Sequence, residues 1–296
     1  MNVAVTGPRG FLGRDIVRTL RAAGHTVIEL VRQPRPSNDP AAGERRYDLA
    51  EAPLPALLDD VDAIVHCAFA RAKSPDADAD AYRANVDGTM ALFDLARERD
   101  VPFLFLSSLS AIPEARSVYG RQKLELERRL SAIGACILRP GLVVGAGGLV
   151  RNLVATMRAR RIVPLVDGGT QPVQCIWLAD VSEIVRALVE RGCPPQTMTV
   201  AVEPPLTAGA LARDLRRALG IRAASVSIPY PIAYGVAWLL EAAGLPSPLP
   251  VESLLGLRAS RVQAVDDARP LGVSLMPWTG QCAALATELS AVRPRR

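Results

Sequence analysis

Tyr119 and Lys123 stand four residues apart in the run Tyr119-Gly120-Arg121-Gln122-Lys123, a spacing that puts both on one face of a helix. A phenol is a poor acid at neutral pH, with a reference pKa of about 10. A lysine cation one turn away stabilises the phenolate and fits the pair for general acid–base work. Ser108 follows the apolar stretch of residues 101–106, where its hydroxyl can hydrogen-bond the oxygen that reacts at the tyrosine. Ser107, one residue earlier, points to the other face of the strand. Such a Tyr–Lys pair is common on surface helices, so its meaning depends on what else the chain carries.

Near the start, residues 3–5 form a short apolar run suited to a buried parallel strand. Gly7, Gly10 and Gly13 follow at intervals of three, then Ile16, Val17 and Leu20 at helical spacing. Strand, glycine turn and helix in that order make a phosphate cradle. The turn needs conformations that a Cβ disfavours, and the helix start offers free N–H groups and a positive dipole end to a pyrophosphate. A dinucleotide is therefore expected. At the end of the next expected strand, residues 26–31, an NAD site carries an acid for the ribose 2′-hydroxyl. Here Val31 stands, with Arg32 and Arg35 behind it and Arg9 inside the glycine turn. Glu29, in mid-strand, reads as the one acid nearby. Arginine pairs with a 2′-phosphate through a charge-assisted fork, so NADP is expected, with NAD as second choice.

The 296 residues, 49% of them hydrophobic, suffice for one large α/β domain with a smaller lobe. The longest apolar candidate, residues 232–243, is too short to cross a bilayer and holds Tyr234 and Glu241. The first strand begins at residue 2, without room for a signal peptide. A cytoplasmic location with no membrane partner is expected. Five cysteines without a CxxC pair read as reduced core residues, and two histidines argue against a metal site. No aromatic and basic array suggests nucleic acid. The net charge of +5 suits an anionic small-molecule substrate.

The elements that must position these residues follow in order. Residues 34–43 read as a loop, 46–49 as the close of a short strand, and 54–58 as a short helix. Residues 62–68 read as a buried strand ending in small residues, with His66 packed in the core. Residues 76–100 read as one long helical region, in which Asn85 caps or bridges backbone near the site. Strands are expected at 101–106 and 137–140, and the tyrosine helix runs to about 131. A loop at 145–148 is expected over the nicotinamide end. Beyond it come helices 149–160, 181–190, 207–219 and 231–243 and strands within 197–202 and 221–230. Segments 251–257, 265–269 and 283–289 complete a mostly helical lobe, and 293–296 read as a frayed tail. Tyr234 and Trp238 are assigned to core packing; with Trp177 they are also candidate apolar walls for a substrate.

The chain resembles the extended short-chain dehydrogenase/reductases, the branch of NAD(P)-dependent epimerases and dehydratases. The family's TGxxGxxG appears as Thr6 to Gly13, its small-residue strand end as His66-Cys67-Ala68, and its Asn-Val-x-Gly-Thr as Asn85 to Thr89. Its strand-end serine appears as Ser107-Ser108, its YxxxK as Tyr119 to Lys123, its Arg-Pro-Gly as Arg139-Pro140-Gly141, and a later helix start as Asp180-Val181. The resemblance implies a Rossmann-like doubly wound parallel sheet with a smaller helical C-terminal substrate lobe. Residues 1–145 would bind the cofactor, recruiting segments around 173–202, and 146–296 would form the lobe. It implies catalysis by Ser108, Tyr119 and Lys123. It further implies cofactor contacts at Thr6, Gly7, Arg9, Gly10, Phe11, Leu12, Gly13, Arg32, Arg35, Asp48, Leu49, Cys67, Ala68, Phe69, Asn85, Ser107, Tyr119, Lys123, Pro140, Gly141 and Val143.

The function expected is hydride transfer between NADP(H) and a carbonyl or alcohol carbon, foremost of a nucleotide sugar. Alternatives are a redox-neutral epimerase or dehydratase with retained NAD(P), a reductase of a steroid- or flavonol-like ketone, and a non-catalytic NADP-sensing regulator. Three departures weaken the sugar-nucleotide reading: Val144 where relatives carry a tyrosine, the short segment 109–118, and QCIWLAD without the usual charges. A homodimer is expected, with Leu92, Leu95, Leu126 and Leu130 as a candidate apolar seam; the alternative is that they face the sheet.

Overall fold

The computed structural model describes residues 1–35, 43–70, 78–245, 247 and 249–291. The expected tail at 293–296, most of the loop at 34–43, and residues 76 and 77 lie outside the described residues. The first half runs β1 (Asn2–Thr6), α1 (Phe11–Ala22), β2 (Thr26–Val31), β3 (Glu44–Arg46), β4 (Ala63–His66), α2 (Asp78–Tyr82), α3 (Gly88–Glu98), β5 (Phe103–Leu106), α4 (Val118–Ser131) and β6 (Cys136–Pro140). Then follow β7 (Leu142–Val144), α5 (Gly148–Arg160), β8 (Ile162–Val166), β9 (Pro172–Val173), β10 (Cys175–Trp177), α6 (Leu178–Glu190) and β11 (Gln196–Val200). The last part holds β12 (Leu206–Thr207), α7 (Ala208–Ala218), β13 (Ala224–Ile228), α8 (Tyr230–Ala242), α9 (Val251–Ala259) and α10 (Trp278–Ala291).

Seven strands form one parallel sheet in the order β11-β6-β5-β4-β1-β2-β3. The chain moves outward from β1 to β3, then returns to pair β4 with β1. That reversal makes the crevice beyond the ends of β1 and β4 a ligand site by topology. The interior strands are continuously apolar because helices cover both faces. On one face Ile16 and Leu20 of α1 and Val181, Ile184 and Leu188 of α6 pack over Val3, Val5, Val65 and Leu104. On the other, α3 and α4 pack Leu92, Leu95, Leu126 and Leu130 over Ala4, Ile64 and Phe105. The four leucines offered as a dimer seam are therefore buried against the sheet, and no apolar seam is left at those positions.

The second half adds short ladders that the sequence did not announce: β7 with β10, β8 with β13, and β9 with β12. Trp177 is buried in the core between them, beside Val144, Leu211 and Leu285, so it walls no substrate space. Trp238 departs from the expected core packing and is 58% exposed. Residues 265–268 form no helix; a short 3₁₀ turn, Arg269–Leu271, follows them. Thr199 donates its N–H to the Asp266 carboxylate and accepts from the Asp266 N–H, which holds the segment extended beside β11, and Pro270 bars helix continuation upstream. The long helical region is broken by a π-turn at Arg83–Asp87, and β3 ends at Arg46, one residue before Tyr47.

Because Leu130 faces the sheet, Leu130→Ala is expected to cost about 2–5 kcal/mol of stability and to leave the oligomeric state unchanged. Denaturant unfolding and light scattering check the two halves of that statement.

Candidate active site

The glycine turn has the shape the sequence asks for. Gly7 adopts a positive φ of 63°. A Cβ on Gly13 would lie 2.2 Å from the Gly7 carbonyl oxygen, so the first turn of α1 can close on the loop only without one. α1 has no side-chain cap at Gly10 and no acid in its first turn, which leaves its opening N–H groups to a ligand. The Phe11 ring rests against the loop at 145–148, where a Cβ on Gly147 would meet it at 2.2 Å. This loop thus closes over the start of α1. Leu12 packs into the core below. The uncapped donors and the cradle that a Cβ would fill fit the pyrophosphate of a dinucleotide.

Thr6 is turned inward. Its hydroxyl accepts from the N–H groups of Cys67 and Ala68, each at 3.0 Å, and bonds His66 Nδ1 at 3.0 Å. With two N–H groups donating to it, the hydroxyl gives its own proton to Nδ1, and Nε2 donates to Thr89 Oγ1 at 3.0 Å. Burial and the Lys123 charge push the His66 pKa down to about 3. The core reading of His66 holds, and the Thr6 hydroxyl ties β1 to β4.

Next to this strut the catalytic candidates converge. Lys123 is buried and donates to the Leu106 carbonyl at 2.6 Å. Its Nζ lies 4.4 Å from the Phe105 ring centroid, 5.1 Å from that of Phe69 and 5.9 Å from that of Tyr119. Desolvation lowers its pKa to about 8. Tyr119 is 36% exposed, and its ring meets Phe69 edge-on at 4.9 Å. Ser108 is half-buried, its hydroxyl accepting from the Ser110 N–H at 3.1 Å. Ser107 is buried, with a hydroxyl that has no hydrogen-bond partner among the described residues.

Asn85, in the π-turn, grips the loop after β4. It accepts from Ala70 N–H at 2.6 Å and donates to the Ala70 carbonyl and to Gln122, at 2.8 and 2.9 Å. Gln122 is the residue before Lys123, so one amide joins the loop to the catalytic helix. Leu109 donates its N–H to the Pro140 carbonyl, Gly141 donates to Val200, and Val143 packs against the core. Asp48 accepts from Ala50 N–H, and Leu49 packs against α3 and α4. Arg32 and Arg35 lie exposed beyond β2, and Arg9 reaches Glu44.

Two acids escaped the sequence reading. Glu44 stands near the arginines, so Glu29 is not the one acid there; it lies just past the segment 34–43 read as loop, and the sequence did not show that the fold brings it back to Arg9. Glu252, from α9, accepts from the N–H groups of Val118 and Tyr119 at 3.1 and 3.3 Å. Ser117 takes Gly120 N–H at 3.1 Å, so these two side chains together close the start of α4. No spacing announces a contact across 133 residues. Beside this junction lies a cleft of about 640 Å³. Arg116, Arg258 and Arg261 line it together with Tyr230, whose ring carries the Arg258 guanidinium at 4.3 Å.

A profile of the NAD dependent epimerase/dehydratase family matches residues 3–201. The chain belongs to that family of enzymes. It is 31% identical over 204 residues to a probable low-salt glycan biosynthesis reductase of Haloferax volcanii, a match spanning 57% of this chain and 65% of that one. The chain therefore matches somewhat under two thirds of that relative's length. Among solved structures, the UDP-glucose 4-epimerase of Thermotoga maritima with UDP-glucose shares the fold at a TM-score of 0.76 and 17% identity, covering 98% and 99% of the two chains. A human epimerase family protein solved with NADPH does so at 0.73 and 18%, covering 99% and 100%. The doubly wound parallel sheet with a helical C-terminal region is common to them. Among the described residues no helix is long and apolar enough to cross a membrane, and no cluster of metal-binding side chains occurs.

Two outcomes follow from this geometry. Burial depresses the Lys123 pKa from its ordinary 10.5 to about 8, so between those values the unfolded chain binds more protons at this position than the folded one. Stability from this group rises with pH across that window. Relative to Lys123→Met, the wild type is expected to gain stability from about pH 8 to about pH 10 in denaturant titrations. Glu252→Ala leaves two helix-start donors without their partner and is expected to lower turnover about tenfold or more while cofactor affinity stays within twofold. Glu252→Gln, which keeps an acceptor, should recover part of the rate.

Proposed function

We propose that this enzyme is an NADP-dependent oxidoreductase acting on a carbonyl or alcohol carbon of a nucleotide sugar. The observation that carries the reading is the buried Lys123 ammonium beneath the Tyr119 ring, at the C-terminal end of β5. When bound, the nicotinamide supplies or takes up hydride. Tyr119 holds the proton at its phenolic oxygen and passes it to the substrate oxygen, or receives it in the reverse direction. Lys123 lowers the energy of the phenolate through its charge and stands ready for the ribose hydroxyls. Ser108 donates to the same substrate oxygen. Asn85 and Gln122 hold the loop and helix that carry these groups at fixed separation, so the reacting atoms meet without a search.

The substrate class is read from the cleft near the start of α4. Arg116, Arg258 and Arg261 supply donors matched to phosphate oxygens, and they outnumber the two acids of the lining, Glu114 and Asp167. Trp177 is buried in the core, which removes one of the three aromatic walls offered for a steroid-like ketone. The relatives named for glycan biosynthesis and for UDP-glucose epimerisation support the same class. NADP over NAD rests on Val31 in place of an acid, with Arg9, Arg32 and Arg35 around it.

The test is a screen of nucleotide sugars for NADPH consumption, with Tyr119→Phe as control. Tyr119→Phe is expected to reduce kcat by about 10²–10⁴ with NADPH affinity unchanged. Full turnover by that variant would end the assignment. The ultraviolet spectrum of the purified protein separates the redox-neutral alternative, since an epimerase that recycles its cofactor retains it in stoichiometric amount.

A further inference from the structure

Glu44 opens β3, where it pairs in register with Glu29 of β2. Its carboxylate receives the Arg9 guanidinium at 3.0 and 3.2 Å, one distance to each oxygen. It also receives the Arg35 N–H at 2.6 Å, with the Arg35 Nε at 3.9 Å. The Glu44 side chain is only 12% exposed, against 43% for Arg9 and 78% for Arg35. The Arg35 backbone bond and the Arg9 guanidinium hold its pKa below the ordinary carboxylate range, so it stays ionised near neutrality. Arg32, the third arginine at this end, makes no hydrogen bond or ion pair among the described residues.

A carboxylate held by a guanidinium and a backbone N–H occupies the donors that a phosphate oxygen would take. We propose that Glu44 determines cofactor specificity as an internal competitor: it holds Arg9, and draws on Arg35, until a 2′-phosphate displaces it. The inference rests on the NADP reading above. A phosphate monoester brings a charge of about −1.5 to −2 to a place where one carboxylate already shares two arginines. Either Arg9 leaves Glu44 for the phosphate, or the two anions share it at the cost of their repulsion. The uncharged 2′-hydroxyl of NAD asks nothing of Arg9 and carries neither cost. Glu44 thus narrows the preference that the arginines create.

Binding titrations of the purified protein with NADPH and NADH, followed by nicotinamide fluorescence, test this without a known substrate. Glu44→Gln is expected to tighten NADPH about five- to tenfold and to leave NADH within twofold. It should also steepen the weakening of NADPH binding by salt, since an uncompensated arginine is released to the phosphate. In the Arg9→Ala background the Glu44→Gln gain should vanish. Melting temperatures of each variant confirm folding, and Arg9→Lys/Glu44→Gln repeats the comparison if the single variant is unstable. Unchanged or weaker NADPH binding by Glu44→Gln overturns the proposal, as does an equal tightening of NADH. A wild type that binds NADH as tightly as NADPH would sink the NADP reading. A selective NADPH gain on Glu44→Gln in that same protein would still uphold the competitor.

Discussion

Burying one ammonium group is the constraint around which this site is built. Removing a charge from water is costly unless the interior replaces its solvation. Around Lys123 that replacement is partial: one carbonyl, from Leu106, and the faces of Phe105, Phe69 and Tyr119. Glu127, on the next turn of α4, is engaged by the Arg139 guanidinium, so it offers little of its charge to Lys123. The ammonium is left under-compensated, and its depressed pKa records that. An under-compensated cation favours whatever anion forms beside it, which for this arrangement is a tyrosinate.

The rest of the first half can be read as what keeps that cation in place. α4 is fixed along its length by separate devices. Ser117 and Glu252 hold its start, Gln122 joins it through Asn85 to the loop after β4, Glu127 joins it to β6 through Arg139, and Leu126 and Leu130 sit on the sheet. The loop after β4 is in turn held by the Thr6 hydroxyl. Burial holds the His66 pKa well below the usual imidazole range, so near neutrality Lys123 meets no second cation from below. Glu252 differs from the others because it belongs to the C-terminal region. Through it, the part of the chain that lines the arginine cleft also holds the backbone of Tyr119.

How much of this was legible depended on the reach of each interaction. The glycine turn, the Tyr–Lys pair and the apolar strands are set by neighbours within about a turn or a strand, and residues 3–13, 119–123 and 101–106 showed them directly. The doubly wound parallel sheet followed from the family resemblance, but its strand order was not read. The sequence could not show which side of α3 and α4 was covered, because Leu92 and Leu126 satisfy a sheet face and a dimer seam equally well until the sheet is in place. Motif position did not say which way the Thr6 hydroxyl turns. The non-helical run at 265–268 was missed because Asp266 is held by Thr199, 67 residues away. Glu44 and Glu252 were missed for the same reason, since each acts on backbone or guanidinium groups that only the fold brings near.

The two ends of the crevice handle charge in opposite ways. At the chemical end a single cation is buried with too little compensation, and the deficit is the source of its effect on Tyr119. At the adenosine end the cations are exposed or half-exposed, and Glu44 already answers them. Water screens that end, so its ion pairs exchange at small cost. Selectivity there can be adjusted by single charges without disturbing the sheet, whereas a change at Lys123 alters the protonation, packing and stability of α4 together. The division follows from where each group sits on the sheet. Lys123 lies over the interior strand β5, covered by a helix, and Glu44 lies on β3, the edge strand. In this sheet the buried cation thus sits over an interior strand, and the ion pairs of Glu44 sit on the edge strand.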